Sequence, residues 1–174
     1  MKRIVTIVLF AIAMPAAAQH HGYSGEQDRD IKALSAEEMK QYLSGAGMGF
    51  AKAAEMNRFP GPMHVLELAD KLGLTAEQRA ATTRLMEAHK AEARALGAQV
   101  VESERELDAL FRSGRVDEAT LSRAVRTAAA LQGEYRLSHL ETHRRMRALL
   151  NESQVARYDE LRGYSAASGK KHHH

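Results

Sequence analysis

Leu74-Thr75-Ala76-Glu77-Gln78 and Leu150-Asn151-Glu152-Ser153-Gln154 are two copies of one short pattern, and they bracket most of the C-terminal half of this chain. Each has a leucine, then a residue whose side-chain oxygen can cap a helix, and a glutamine three residues after the cap. The oxygen of Thr75 or Asn151 can accept a backbone N–H of the first helical turn. Gln78 or Gln154 can reach back to the N–H of the cap residue. That is a capping box, and the leucine just outside it is half of a hydrophobic staple. Each copy therefore starts a helix, and the segment between them decides the fold.

That segment reads as two long helices and one tight turn. The first is predicted from Ala76 to Ser113, about 57 Å at ~1.5 Å per residue. Leu85, His89, Glu92, Leu96, Val100, Ser103, Leu107 and Leu110 recur every three or four positions and define one face. Ser113-Gly114-Arg115-Val116-Asp117 is the turn, with Asp117 as the next N-cap. The second helix carries Leu121, Val125, Ala128, Gln132, Tyr135, His139, Thr142, Met146 and Leu149 in alternating steps of four and three. A tight turn makes the two helices antiparallel, so facing residues have numbers summing to about 230. On that ruler Gly97 falls opposite Gly133, and a close approach of the two backbones is one expectation. A last short helix runs from Asn151 to Leu161, with Gly163 beyond.

The N-terminal half is more broken. Ser35-Ala36-Glu37-Glu38 is a third capping box, opening a helix that ends near Gly45. Met48–Phe59 can form another, and Phe59-Pro60-Gly61-Pro62 is a turn that places Pro62 at the first position of a helix ending before Gly73. All three prolines precede residue 64, and helix-favouring Ala, Leu, Glu and Arg dominate thereafter. The expected fold class is all-α, a long antiparallel hairpin with short flanking helices. One narrow apolar stripe per helix buries little, so the short helices or a second copy must cover it, and a homodimer is expected.

Residues 1–18 have the form of a secretory signal, with Lys2 and Arg3 ahead of an apolar run that is too short to cross a bilayer and a small-residue Ala16-Ala17-Ala18 end. Cleavage after Ala18 lowers the 25 Lys+Arg to 23, against 22 Asp+Glu. That near-neutral balance calls for no nucleic acid. The expected location is the periplasm. Residues 19–34 read as a mobile polar arm, 35–163 as the helical domain, and 164–174 as a disordered tail ending in His172-His173-His174. Cys is 0, which excludes disulfides and thiolate chemistry. No Ser/His/Asp order, phosphate-cradling loop or paired carboxylates stand out, so no enzyme is expected.

Histidine and methionine are where chemistry could reside. His139, His143 and Met146 share one side of a helix at i, i+4 and i+7. The ruler brings His89, with Met86 nearby, opposite residue 141. Imidazole and thioether are ligands for Cu, Ni, Co or Zn, so His89, His139, His143, Met86 and Met146 are candidate metal ligands. Ordinary hydrogen-bonded histidines and core methionines are the alternative. Cleavage after Ala18 would also leave Gln19-His20-His21. A free amine, two backbone amides and an imidazole at the third residue can wrap Cu(II) or Ni(II), which adds His20 and His21. No motif requires a cofactor, and a divalent transition metal is the only one considered. Met39, Met48, Met56 and Met63 crowd the N-terminal half, and such flexible side chains suit either gap-filling or a surface that accepts many apolar partners.

The paired boxes, the exported helical hairpin and the Arg157-Tyr158-Asp159-Glu160-Leu161 ending resemble the Spy/CpxP family of LTxxQ-motif proteins, over roughly Pro62 to Gly163. The resemblance implies a cradle-like homodimer that binds unfolded envelope proteins without ATP in envelope or metal stress. Its metal-sensor branch implies instead a heavy-metal sensor or buffer that signals to a membrane partner. That branch pairs two histidines before the first box, where this chain has only His64. Met146 matches the branch's last methionine, but Thr142 stands where its histidine would be.

Overall fold

The computed structural model describes residues 23–165. Among them are six helices and no strand: α1 (Ala36–Ser44), α2 (Lys52–Glu55), α3 (Pro62–Glu67), α4 (Ala76–Arg112), α5 (Glu118–Leu149) and α6 (Glu152–Arg162). The class is all-α, built on the long pair α4 and α5. The signal, the start of the arm to residue 22 and the tail from residue 166 lie outside the described residues, as do His20 and His21, while Tyr164, counted with the tail, packs against the core.

All three capping boxes form as read. Ser35, Thr75 and Asn151 each accept from the N–H three residues on, and Glu38, Gln78 and Gln154 return the bond to the cap N–H. Asp117 caps α5 through Thr120 N at 2.9 Å. The two box glutamines also meet each other. Gln78 Nε2 donates to Gln154 Oε1 at 2.9 Å, and Gln154 Nε2 donates to Gln78 Oε1 at 2.9 Å. The second N–H of Gln78 reaches Leu149 O at 2.8 Å and that of Gln154 reaches Leu72 O at 3.4 Å. One amide pair thus ties together the start of α4, the end of α5, the start of α6 and the loop after α3.

The short helices are shorter than the sequence reading. Met48–Phe59 holds only the four residues of α2, because Met48 (φ 45°), Gly49 (φ 78°) and Arg58 (φ 67°) take left-handed backbone that no α-helix can continue. The helix from Pro62 stops at Glu67 and passes into turns before Gly73.

These segments cover one face of the hairpin and divide its core in two. In the upper cluster, Ile31, Leu34 and Tyr42 pack on Ala93, Val100, Val101 and Tyr135. Packing therefore begins at Ile31, inside the stretch read as a polar arm. In the lower cluster, Val65 and Leu72 pack with Leu85, Met146, Leu150, Val155 and Tyr158. No side chain from residue 104 to residue 127 is buried. The upper contact replaces the expected pairing of glycines. A Cβ on Gly97 would lie 2.0 Å from Tyr42 O, so Gly97 admits the end of α1 and not Gly133. Gly133 is exposed, with nothing within 4 Å. Glu92, Val125 and Gln132, read on the inward stripes, are exposed as well.

The two glycines should respond in opposite directions. Gly97→Ala meets a backbone carbonyl and should cost more than about 2 kcal/mol despite alanine's better helix propensity, whereas Gly133→Ala should gain about 0.5–1 kcal/mol. Urea unfolding of both variants checks this. For the glutamine clasp, Gln78→Ala and Gln154→Ala should each cost about 2 kcal/mol and show a coupling of about 1 kcal/mol in a double-mutant cycle.

Candidate functional site

Between the two apolar clusters lies a polar level of the hairpin. His89 stands between Leu85 and Ala93 on α4, and His139 between Tyr135 and Met146 on α5, so each imidazole is flanked by core residues on its own helix. The hairpin register brings them together. His89 Nε2 and His139 Nδ1 are 3.0 Å apart, with the rings edge to face at 4.5 Å between centroids. The ruler from the turn misses this pairing by two residues. His139 is 4% exposed.

The pair is not otherwise satisfied. His89 Nδ1 and His139 Nε2 are buried without a hydrogen-bond partner. A neutral pair sharing one hydrogen bond leaves one of these outer atoms as an N–H and the other as a lone pair, whichever ring donates. Burial lowers the pKa of His89, with His143 adding a smaller repulsion. Burial, then His89 and His143, brings His139 from the ordinary 6.5 down to about 4. Both rings are therefore neutral at pH 7.

An open cleft of about 580 Å³ reaches this pair. Its walls come from the loop after α1, from α2, the start of α3, α4, α5 and the segment after α6. Four methionines line it: Met48, Met56, Met63 and Met86. Met56 and Met63 are about half exposed, and Phe59 beside them is exposed too. Met48, Met56 and Met63 of the N-terminal cluster thus converge on one opening, while Met39 and part of Met48 pack on the upper core.

His143 also lines the cleft, but separately from the pair. Its Nδ1–H donates to Phe59 O at 2.7 Å and lies 3.6 Å from Glu55 Oε2. The other edge of the ring rests on Gly61, where a Cβ would sit 3.0 Å from Cε1. Met146 lies fully buried in the lower cluster. The five residues read as possible ligands are thus divided: His89, His139 and Met86 line the cleft, His143 lines it from α5 but is bonded to the Phe59 carbonyl, and Met146 lies in the core. Among the described residues, no group of three or more His, Asp or Glu side chains is arranged to hold a metal ion.

Glu55 escaped the sequence reading. Tyr158 Oη donates to its Oε1 at 2.5 Å, Tyr164 Oη at 3.1 Å, and Gly61 N–H to its Oε2 at 3.0 Å. Arg162 Nε lies 3.7 Å away. Burial, then the bond to Glu55, raises the pKa of the Tyr158 phenol, keeping it a donor. This knot holds α2 and the Phe59–Gly61 loop against α6. The period of Val155, Tyr158 and Leu161 signalled an inward tyrosine, but nothing local to Glu55 signalled its partners.

The imidazole pair should make stability pH-dependent. Their folded pKa values are depressed, so between about 6.5 and 4 the unfolded chain binds more protons and stability falls as pH falls. The contribution is complete above pH 6.5, and His139 alone should lose on the order of 2 kcal/mol by pH 4. Thermal melts at pH 7.5, 6 and 5 of the chain and of His89→Gln/His139→Gln measure it. The double variant should lose markedly less stability over that range.

A family model described as LTXXQ motif family protein matches residues 62–162, which takes in both boxes and the whole hairpin. No curated protein and no solved structure matches the chain. With more than half of its length matched, the chain belongs to the LTXXQ motif family, of Spy/CpxP type.

Proposed function

We propose that this chain is a periplasmic, ATP-independent, chaperone-like protein that binds unfolded envelope proteins under envelope or metal stress. The observation that carries the reading is the cleft ringed by Met48, Met56, Met63 and Met86, with Phe59 exposed at its side. Thioether side chains are unbranched and polarizable, and they repack around differing apolar groups. The opening lies beside loops rich in left-handed backbone, Met48, Gly49 and Arg58, that leave it unroofed by helix. Family membership supports the same reading, since members are typically secreted or periplasmic and are chaperone-like or regulatory, not known enzymes. No helix among the described residues is long and apolar enough to cross a membrane. A homodimer is part of the proposal, with a second copy covering exposed side chains of the hairpin such as Phe111, Val125 and Leu137.

A second reading, a heavy-metal sensor or buffer acting on a membrane partner, is favoured by one observation, the buried imidazole pair with its two partnerless nitrogens.

Light scattering of a chemically denatured client diluted into the chain tests the first reading. Equimolar chain should suppress aggregation, and Met56→Ser/Met63→Ser, altering two exposed positions, should weaken suppression severalfold without changing the melting curve. Undiminished suppression by the double variant, or none by the parent chain, overturns the proposal.

A further inference from the structure

We propose that His89, His139 and Met86 form a binding site for a single Cu(I) ion in the wall of the cleft. The two imidazole nitrogens that face each other, His89 Nε2 and His139 Nδ1, are 3.0 Å apart. At an imidazole bond length of about 2.0–2.1 Å, the value for zinc, two of three bonds at a trigonal angle hold their nitrogens about 3.5 Å apart. A d¹⁰ ion can therefore replace the shared hydrogen after the rings part by about half an ångström. The protons balance. In the neutral pair one proton lies between the rings and one on an outer nitrogen. With the ion in place, both sit on the outer nitrogens, His89 Nδ1 and His139 Nε2. Neither outer atom has a protein partner, so no carbonyl or carboxylate locks the present tautomer. Buried polar atoms without a partner call for a specific explanation, an ion or an ordered water among them.

Met86 supplies the selectivity. It precedes His89 by three residues on α4, so the two share one face, and it lines the same cleft as both histidines. Thioether with imidazole is a soft donor set that favours Cu(I) and suits its low coordination number. Hard divalent ions want carboxylates. The nearest carboxylate of the cleft, Glu55, is committed to Tyr158, Tyr164 and the Gly61 N–H. Lys90, also in the lining, further disfavours higher charge. His143 stays outside the set, its Nδ1–H given to Phe59 O. This site is the ion-binding element that the second reading needs. It stands apart from signalling, because binding is measured directly and could persist where no membrane partner responds.

The test is an anaerobic titration of the full chain with Cu(I) against a chromophoric Cu(I) chelator, using the parent, His89→Gln/His139→Gln and Met86→Leu. The parent should bind one more equivalent than the double histidine variant, which discounts any ion held by histidines elsewhere in the chain. Met86→Leu, a swap of similar volume, should keep the fold and weaken that equivalent at least tenfold, and X-ray absorption should lose its copper–sulfur contribution. Zn²⁺ should bind the parent at this site more weakly than Cu(I). Equal stoichiometry and affinity in parent and double histidine variant overturn the site. Unchanged sulfur scattering in Met86→Leu overturns the ligand set, and that variant decides the matter even if the histidine variant fails to fold.

Discussion

Two side-chain amides hold the base of this molecule together. Gln78 and Gln154 each use the carbonyl oxygen twice, once for the N–H of their own helix cap and once for the opposite amide. Each also spends its remaining N–H on a backbone carbonyl. Every donor of the two amides is occupied, in a partly buried place where a missing partner would cost about 1–3 kcal/mol. The bonds close a loop of 76 residues in sequence. Helix start, helix end and loop are thereby fixed relative to one another, and the antiparallel register follows. The positions of His89 and His139 are a consequence of that register.

The same register explains why the core is split. Above the histidine level, α1 needs a close approach, and Gly97 supplies it. Below, α3 and α6 fill the space around Met146 with ordinary apolar side chains. The short segments close the level between less completely. It opens into the methionine-lined cleft, which is bounded by backbone that turns away from helix at Met48, Gly49 and Arg58. The Glu55 knot with Tyr158 and Tyr164 keeps that wall in place from the far side.

What the sequence made legible was whatever depends on near neighbours. Capping boxes need only residues three apart, and all three were readable. The turn at Gly114 and the cap at Asp117 were equally local, and from them the hairpin and the meeting of His89 with α5 could be measured off. On α4 the pattern placed Leu85, Val100 and Ser103 inward, as they are, but at one turn it favoured Glu92 where the contact residues are Ala93 and Gly97, small side chains whose value lies in what they admit. The choice between Gly97 and Gly133 was made by Tyr42, far away in the chain. Met48–Phe59 held enough helix formers to mislead, and its left-handed residues are not glycine at Met48 and Arg58. Glu55 could not be found at all, because its partners at Tyr158 and Tyr164 lie more than a hundred positions downstream.

The unburied stretch from residue 104 to residue 127 has a thermodynamic consequence. Helical hydrogen bonds there are backed by few tertiary contacts, and helix alone is marginal in water. Among the described residues, the N-terminal segments bond to it through Lys32 with Asp108 and Asp30 with Arg105. Opening of this end should cost far less free energy than opening of the clasped base, so the hairpin is a graded lever, stiff at one end and compliant at the other. Whatever binds along its length can bend the compliant end without disturbing the amide clasp.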